Sequence, residues 1–180
     1  MAKRRIGLDV DGVVANFAQA IIEAGNKLGI KHLPVRWAEF VHIYGGPDKT
    51  KEHQAFVNVW MKVREDEDFW DSIPPHDEDV PFLPDVYITA RPQGTDTYLW
   101  LFMNDVPSAP VITVDGGSKV AAAQAAKLTH FLDDAPHNVD ELRAAGIDCW
   151  LLDRPWNQTY ETIYRVKTIA EFWNKANPII

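Results

Sequence analysis

Five short apolar runs that alternate with helical patterns constrain this chain more than any other feature of its 180 residues. The runs cover residues 5–10, 86–88, 111–114, 130–132 and 149–152. Runs this short, with few polar interruptions, fit strands buried on both faces. Apolar residues at helical spacing fill 95–103, 119–127 and 138–145, the last stopped by Gly146. Such alternation predicts an α/β fold, a parallel sheet with helices on both faces. Ligands of these sheets sit at the carboxyl ends of the strands.

Residues 17–83 break the rhythm. A loop of that length has no place in a compact domain, so the segment must carry structure of its own. Its patterns are helical. Phe17, Ala20, Ile21, Ala24 and Leu28 share one face, and Gly29 supplies a stop. Phe56, Trp60 and Val63 repeat the spacing, and Trp37, Phe40, Val41 and Tyr44 suggest a third helix ending at Gly45. The prolines Pro81 and Pro84 then exclude a long regular helix on the way back. We expect a core of residues 1–16 and 84–180, with a small helical cap, 17–83, inserted after the first strand.

The composition, 46% hydrophobic and 24% charged, is that of a soluble globular protein. A formal charge of −8 argues against a nucleic-acid polymer as partner, because such binders need a basic face. Lys3, Arg4 and Arg5 form a basic lead-in to the first strand. Cys149 is the single cysteine, which excludes an intrachain disulfide and thiolate metal spacings. No apolar run is long enough to span a bilayer, so no membrane partner and a cytoplasmic location are expected.

The candidate chemistry lies at the strand ends. In extended backbone, Asp9 and Asp11 would face the same way, and Gly12 permits a sharp turn beyond them. Two close carboxylates raise the proton affinity of at least one, leaving one as nucleophile or metal ligand and the other as acid and base. The plainer reading is a polar turn. Asp133 and Asp134 follow the 130–132 run and suit a hard cation such as Mg2+, or else they cap the next helix, for which Asn138 is the better cap. Thr89, Ala90 and Arg91 end the 86–88 run, where a hydroxyl and a backbone N–H could hold a phosphate oxygen. Lys119 follows Gly116, Gly117 and Ser118 and opens a helix whose start favours an anion; alternatively Ser118 caps and Lys119 is solvated. The joint order Asp-x-Asp, Thr, Lys, Asp-Asp across four strand ends makes the functional reading the better one.

With these four motifs the chain resembles the haloacid dehalogenase superfamily of phosphatases. Residues 9–14 look like its first motif, 88–92 its second, Lys119 its third and 131–134 its fourth. The 5'(3')-deoxyribonucleotidases are the branch it is most similar to. The resemblance implies a magnesium-dependent phosphomonoester hydrolase. Asp9 would be the nucleophile, forming an aspartyl-phosphate, and Asp11 the general acid and base. Mg2+ would bind Asp9, the backbone carbonyl of Asp11 and Asp134, with Asp133 behind them. Thr89 and Lys119 would hold the phosphoryl group, with Ala90 and Arg91 beside the substrate. The substrate implied is a small phosphate monoester, a nucleoside monophosphate above all, and a homodimer is compatible with such a protein. Gly117 stands where some nucleotidases carry a cation.

Other features carry less. Residues 45–50 end like a phosphate-binding loop, but Ile43 and Asp48 occupy its glycine positions. Residues 64–68 read as a solvated acidic turn, and the six histidines show no metal-ligand spacing. Cap aromatics such as Phe56, Trp60, Phe69 and Trp70 read as packing, with one or two able to stack on a base. The loop of Arg154, Pro155, Trp156 and Asn157 follows the last run and is placed to touch the cap. The competing functions are a general phosphatase, a silent nucleotide-binding domain, and a phospho-receiver module, although the last would place its lysine after the acidic pair.

Overall fold

The computed structural model describes residues 3–31 and 51–177. Among these residues, six parallel strands form one sheet. They are β1 (Ile6–Leu8), β2 (Val86–Thr89), β3 (Val111–Thr113), β4 (His130–Asp133), β5 (Asp148–Leu152) and β6 (Arg165–Val166). Their order is β3-β2-β1-β4-β5-β6. The chain therefore reverses direction across the sheet between β1 and β4, where Leu8 pairs with Leu132. Such a switch point opens a crevice at the carboxyl ends of the two strands.

Alternation along the strands explains why they read as continuous apolar runs. Val86, Ile88, Phe131, Cys149 and Leu151 point to one face and pack with Ala123, Val139 and Leu142. Those partners come from α5 (Val120–Ala125) and α6 (Pro136–Ala144). Leu8, Tyr87, Leu132 and Leu152 point the other way, toward Trp100, Leu101, Ile169 and Phe172. These belong to α4 (Thr97–Met103) and α7 (Ile169–Ala176). Gly7 faces the first layer, where an added Cβ would lie 2.6 Å from Leu128 Cδ1 and 2.7 Å from Phe131 Cδ2.

The inserted segment contributes α1 (Phe17–Lys27), α2 (Lys51–Val63) and α3 (Glu67–Asp71). Asn16 caps α1 through the Gln19 N–H, and Gly29 ends that region with φ of 67°. Phe17, Trp60, Phe69 and Trp70 pack edge-to-face or stacked with centroids 5.3–6.1 Å apart. The two connections to the core run side by side. Asn16 N–H donates to Pro74 O and His76 N–H to Val14 O, both at 2.8 Å. The return thus lies at 74–76. Beyond it Phe82 stacks on Trp173 of α7, so this part of the 17–83 stretch packs on the core.

Several local expectations change. Residues 64–68 are not simply a solvated turn, because Asp66 caps α3 by accepting from Asp68 N–H. The helix after β4 starts at Pro136, so Asn138 is not its cap. Strand β6 and helix α7 were not foreseen. The helix carried a readable signal, Thr168 capping Glu171 N–H three residues on. The expected helix of Trp37, Phe40, Val41, Tyr44 and Gly45, and the run 45–50 after it, lie outside the described residues. No helix among the described residues is long and apolar enough to cross a membrane.

Candidate active site

The strand-end residues meet in one cavity of about 210 Å³. Asp9, Asp11, Ala90, Arg91, Gly116, Lys119 and Asp134 line its core side, and Phe17, Phe56, Trp60 and Trp70 its other wall. Asp9 leaves the end of β1 with its N–H bonded to Leu132 O at 2.9 Å. The chain then turns at once. Val10 O accepts from Val14 and Ala15 N–H at 2.9 and 2.8 Å, so extended geometry stops there. The two aspartates border one cavity but face different partners, Asp9 toward β4 and Asp11 toward β2. Gly12 is forced by this turn. Its φ is 84°, and a Cβ there would lie 2.3 Å from Asp134 Oδ2.

Lys119 sits between two carboxylates and is not solvated. Its Nζ lies 2.7 Å from Asp9 Oδ2 and 2.8 Å from Asp133 Oδ2, with only 2% of the residue exposed. Burial lowers its proton affinity, but Asp133 and Asp9 more than offset this and hold its pKa above the usual lysine range. Ser118 does accept from Val120 N–H at 3.3 Å, and that leaves Lys119 in the cavity. Asp133 also accepts from Ala135 N–H at 2.9 Å and from the Asn138 amide at 3.1 Å. Asn138 does not cap the helix. Its place one turn into α6 puts it on the acid instead.

Asp134 accepts from Trp156 Nε1 at 2.6 Å, and its backbone carbonyl accepts from Asn157 Nδ2 at 2.9 Å. The Arg154 guanidinium donates to Gly12 O at 2.7 Å and Val13 O at 3.2 Å. The loop after β5 therefore grips the outgoing connection to the inserted helices. Its place beside β4 was the only signal for Trp156 and Asn157, since the sequence alone did not pair them with Asp134.

Thr89 lies beneath the cavity, fully buried, with its hydroxyl donating to Asp11 Oδ2 at 3.3 Å. Arg91 N–H donates to that hydroxyl at 3.2 Å. The Arg91 side chain forks onto Asp11, with Nε–Oδ2 at 3.0 Å and Nη2–Oδ1 at 2.9 Å.

Asp9, Asp133 and Asp134 bring carboxylate oxygens within 4.8 Å of one another. Burial holds Asp9 well above the ordinary carboxylate range, opposed by Lys119 and reinforced by Asp133 and Asp134. Burial and the Asp133 charge push Asp134 up to about 7. Three buried carboxylates against one ammonium fit a hard divalent cation, which would compete with protons at Asp9 and Asp134. Asp11 lies outside this cluster, so only its backbone carbonyl is a candidate ligand.

A pH dependence follows. The folded pKa of Asp134, about 7, exceeds the 3.8 of an ordinary aspartate, so the folded state binds more protons between these values. This contribution to stability is complete below pH 3.8 and fades as pH rises through 7. With a chelator, the melting temperature should fall across that window, each pH unit costing up to about 1.4 kcal/mol from this group. A hard divalent cation held by the three carboxylates at neutral pH should reverse the fall. A chelated protein that gains stability across the window would contradict the buried acidic cluster.

No protein-family model matches the sequence, and no curated protein matches it either. Solved structures do match. A haloacid dehalogenase family hydrolase from Deinococcus radiodurans, with bound phosphate and sodium, aligns at TM-score 0.64 and 14% identity over 95% of this chain and 93% of its own. A haloacid dehalogenase superfamily hydrolase from Geobacter sulfurreducens gives 0.58 and 13% over 96% of each chain. An L-2-haloacid dehalogenase gives 0.57 and 14% over 97% of this chain and 99% of its own. At these identities the likeness establishes the fold, the parallel α/β sheet of haloacid dehalogenase-like hydrolases.

Proposed function

We propose that the chain is a magnesium-dependent phosphomonoester hydrolase acting through Asp9. The observation that carries this reading is the Lys119 ammonium held between Asp9 and Asp133 at 2.7 and 2.8 Å, in a cavity that Asp134 and Asp11 also line. Phosphoryl transfer needs an aligned nucleophile and neutralisation of charge, and these residues supply both. An Asp9 carboxylate oxygen attacks phosphorus as the bond to the ester oxygen breaks. Asp11 gives that oxygen a proton, so an alcohol departs and an aspartyl-phosphate remains. Water then attacks phosphorus, returns a proton to Asp11, and releases phosphate with Asp9 restored. Lys119, with the backbone N–H groups beside Thr89, holds the phosphoryl oxygens. Mg2+ at Asp9, Asp134 and the Asp11 carbonyl would neutralise their charge when bound. EDTA should abolish phosphate release from a panel of monoesters, and magnesium should restore it. Full activity in a thoroughly chelated sample would exclude this metal role.

The helices of the inserted segment are proposed to act as a cap that excludes water and reads the leaving group. Phe56 and Trp60 are half-buried rings on the cavity wall, stacked at 6.5 Å, and suit a planar partner. A nucleoside monophosphate is the substrate class this favours. One stacked base contributes about 1–3 kcal/mol. A deoxynucleoside monophosphate should therefore exceed the phosphate ester of a small aliphatic alcohol by at least about fivefold in kcat/KM. Equal values at saturating magnesium would leave a general phosphatase.

A further inference from the structure

The Arg91 guanidinium is gripped from two sides. Its Cζ lies 5.3 Å from the Trp70 ring centroid, on α3 of the inserted segment, and 5.1 Å from that of Trp100, on α4 of the core. Both indoles are fixed by hydrogen bonds to the inserted segment or its base. Trp70 Nε1 donates to Arg64 O at 3.0 Å and Trp100 Nε1 to Ile73 O at 2.9 Å. Between them the arginine is 1% exposed, with Nε and Nη2 committed to Asp11. Its Nη1 is buried and has no hydrogen-bond partner among the described residues.

We propose that Arg91 is a positioning residue that couples closure of the cap to the orientation of Asp11. The inference rests on the phosphohydrolase reading, in which Asp11 delivers the proton to the leaving oxygen. A two-point guanidinium–carboxylate fork fixes direction as well as distance. It holds that geometry only while water is kept from it, since exposed ion pairs are weak. Trp70 is the part of the shield that belongs to the cap. When the cap opens, Trp70 leaves with it, the fork is wetted, and Asp11 loses its fixed direction. Closure over substrate restores the stack and aims the acid. Arg91 thus acts through Asp11. A direct role on substrate would require a substrate oxygen to reach Nη1.

The test uses phenyl phosphates of one shape and rising leaving-group basicity, so that stacking stays constant while the demand for a proton grows. In Arg91→Lys and Trp70→Leu, kcat/KM should fall by less than about threefold for the nitrophenyl ester and by roughly a hundredfold for the most basic phenol, the scale of lost acid catalysis. Trp70→Phe, which keeps a ring over the guanidinium, should recover most of the loss. The Arg91 Nε–H resonance, assigned through its side-chain couplings to the Arg91 backbone, should be protected from solvent exchange in the wild type and in Trp70→Phe. It should exchange rapidly in Trp70→Leu. An equal loss across the ester series would overturn the proposal and assign Arg91 to substrate. A rapidly exchanging Nε–H in the wild type would overturn it even if Arg91→Lys failed to fold. A wild type that keeps the protected Nε–H yet turns over no ester would remove the phosphohydrolase reading, and this role of Arg91 with it.

Discussion

Asp9→Asn should lower turnover of any phosphate monoester by at least roughly a thousandfold while the protein stays folded. An amide is a poor nucleophile and a poor ligand for a hard cation. Its geometry nevertheless suits the site, since its oxygen can still accept from Lys119 or from Val10 N–H, which now donates to Asp9 Oδ1 at 2.7 Å. The substitution also removes one of three carboxylates crowded within 4.8 Å, so the chelated variant should melt no lower than the wild type at neutral pH. Phosphate release and thermal melts on the same preparation check both parts. Turnover near the wild-type level would remove Asp9 as nucleophile. A large fall in melting temperature would show that its role is structural.

Lys119→Met should be the most destabilising single substitution in the site. Methionine fills much the same volume but leaves Asp9 and Asp133 without the cation between them, both buried. Breaking a buried pair by removing one partner costs about 3–5 kcal/mol. The Lys119 pKa is raised above the 10.5 of an ordinary lysine, so its contribution is complete below that pH and fully present at neutrality. The carboxylates left behind can escape only by taking up protons. The deficit measured by urea unfolding should therefore shrink as pH is lowered from 7 toward 5, with phosphatase activity lost at both. A deficit below about 1 kcal/mol at pH 7 would place this ammonium among surface-like ion pairs.

Much of the fold was legible because strand burial on both faces leaves a plain trace in sequence. Residues 86–88 and 130–132 read as apolar runs for the reason seen in the structure, Tyr87 and Leu132 packing on one face and Ile88 and Phe131 on the other. Strand β6 was not legible, because two residues paired only with Leu151 and Leu152 leave no pattern. The place of the candidate site was legible where a side chain stood at the end of a strand and lines the cavity, as with Asp9 and Asp134, whereas the Thr89 hydroxyl, read as a contact for a phosphate oxygen, is buried on Asp11. The site was illegible wherever a partner came from elsewhere in space. Trp156 on Asp134 and the two indoles around Arg91 depend on strand order and on the return of the inserted helices, which spacing does not encode. The alternation rule also misled at Asp11. The turn that begins at Val10 sends its carboxylate to Arg91 and away from the Asp9 cluster.

The stereochemical course at phosphorus tests the proposed chemistry most directly. A good monoester carrying an isotopically chiral phosphorothioate would be turned over with magnesium in labelled water, and the configuration of the released thiophosphate determined. Two in-line displacements, first by Asp9 and then by water, give net retention, which is the expected result. Net inversion would mean that water attacks directly, contradicting the aspartyl-phosphate at Asp9.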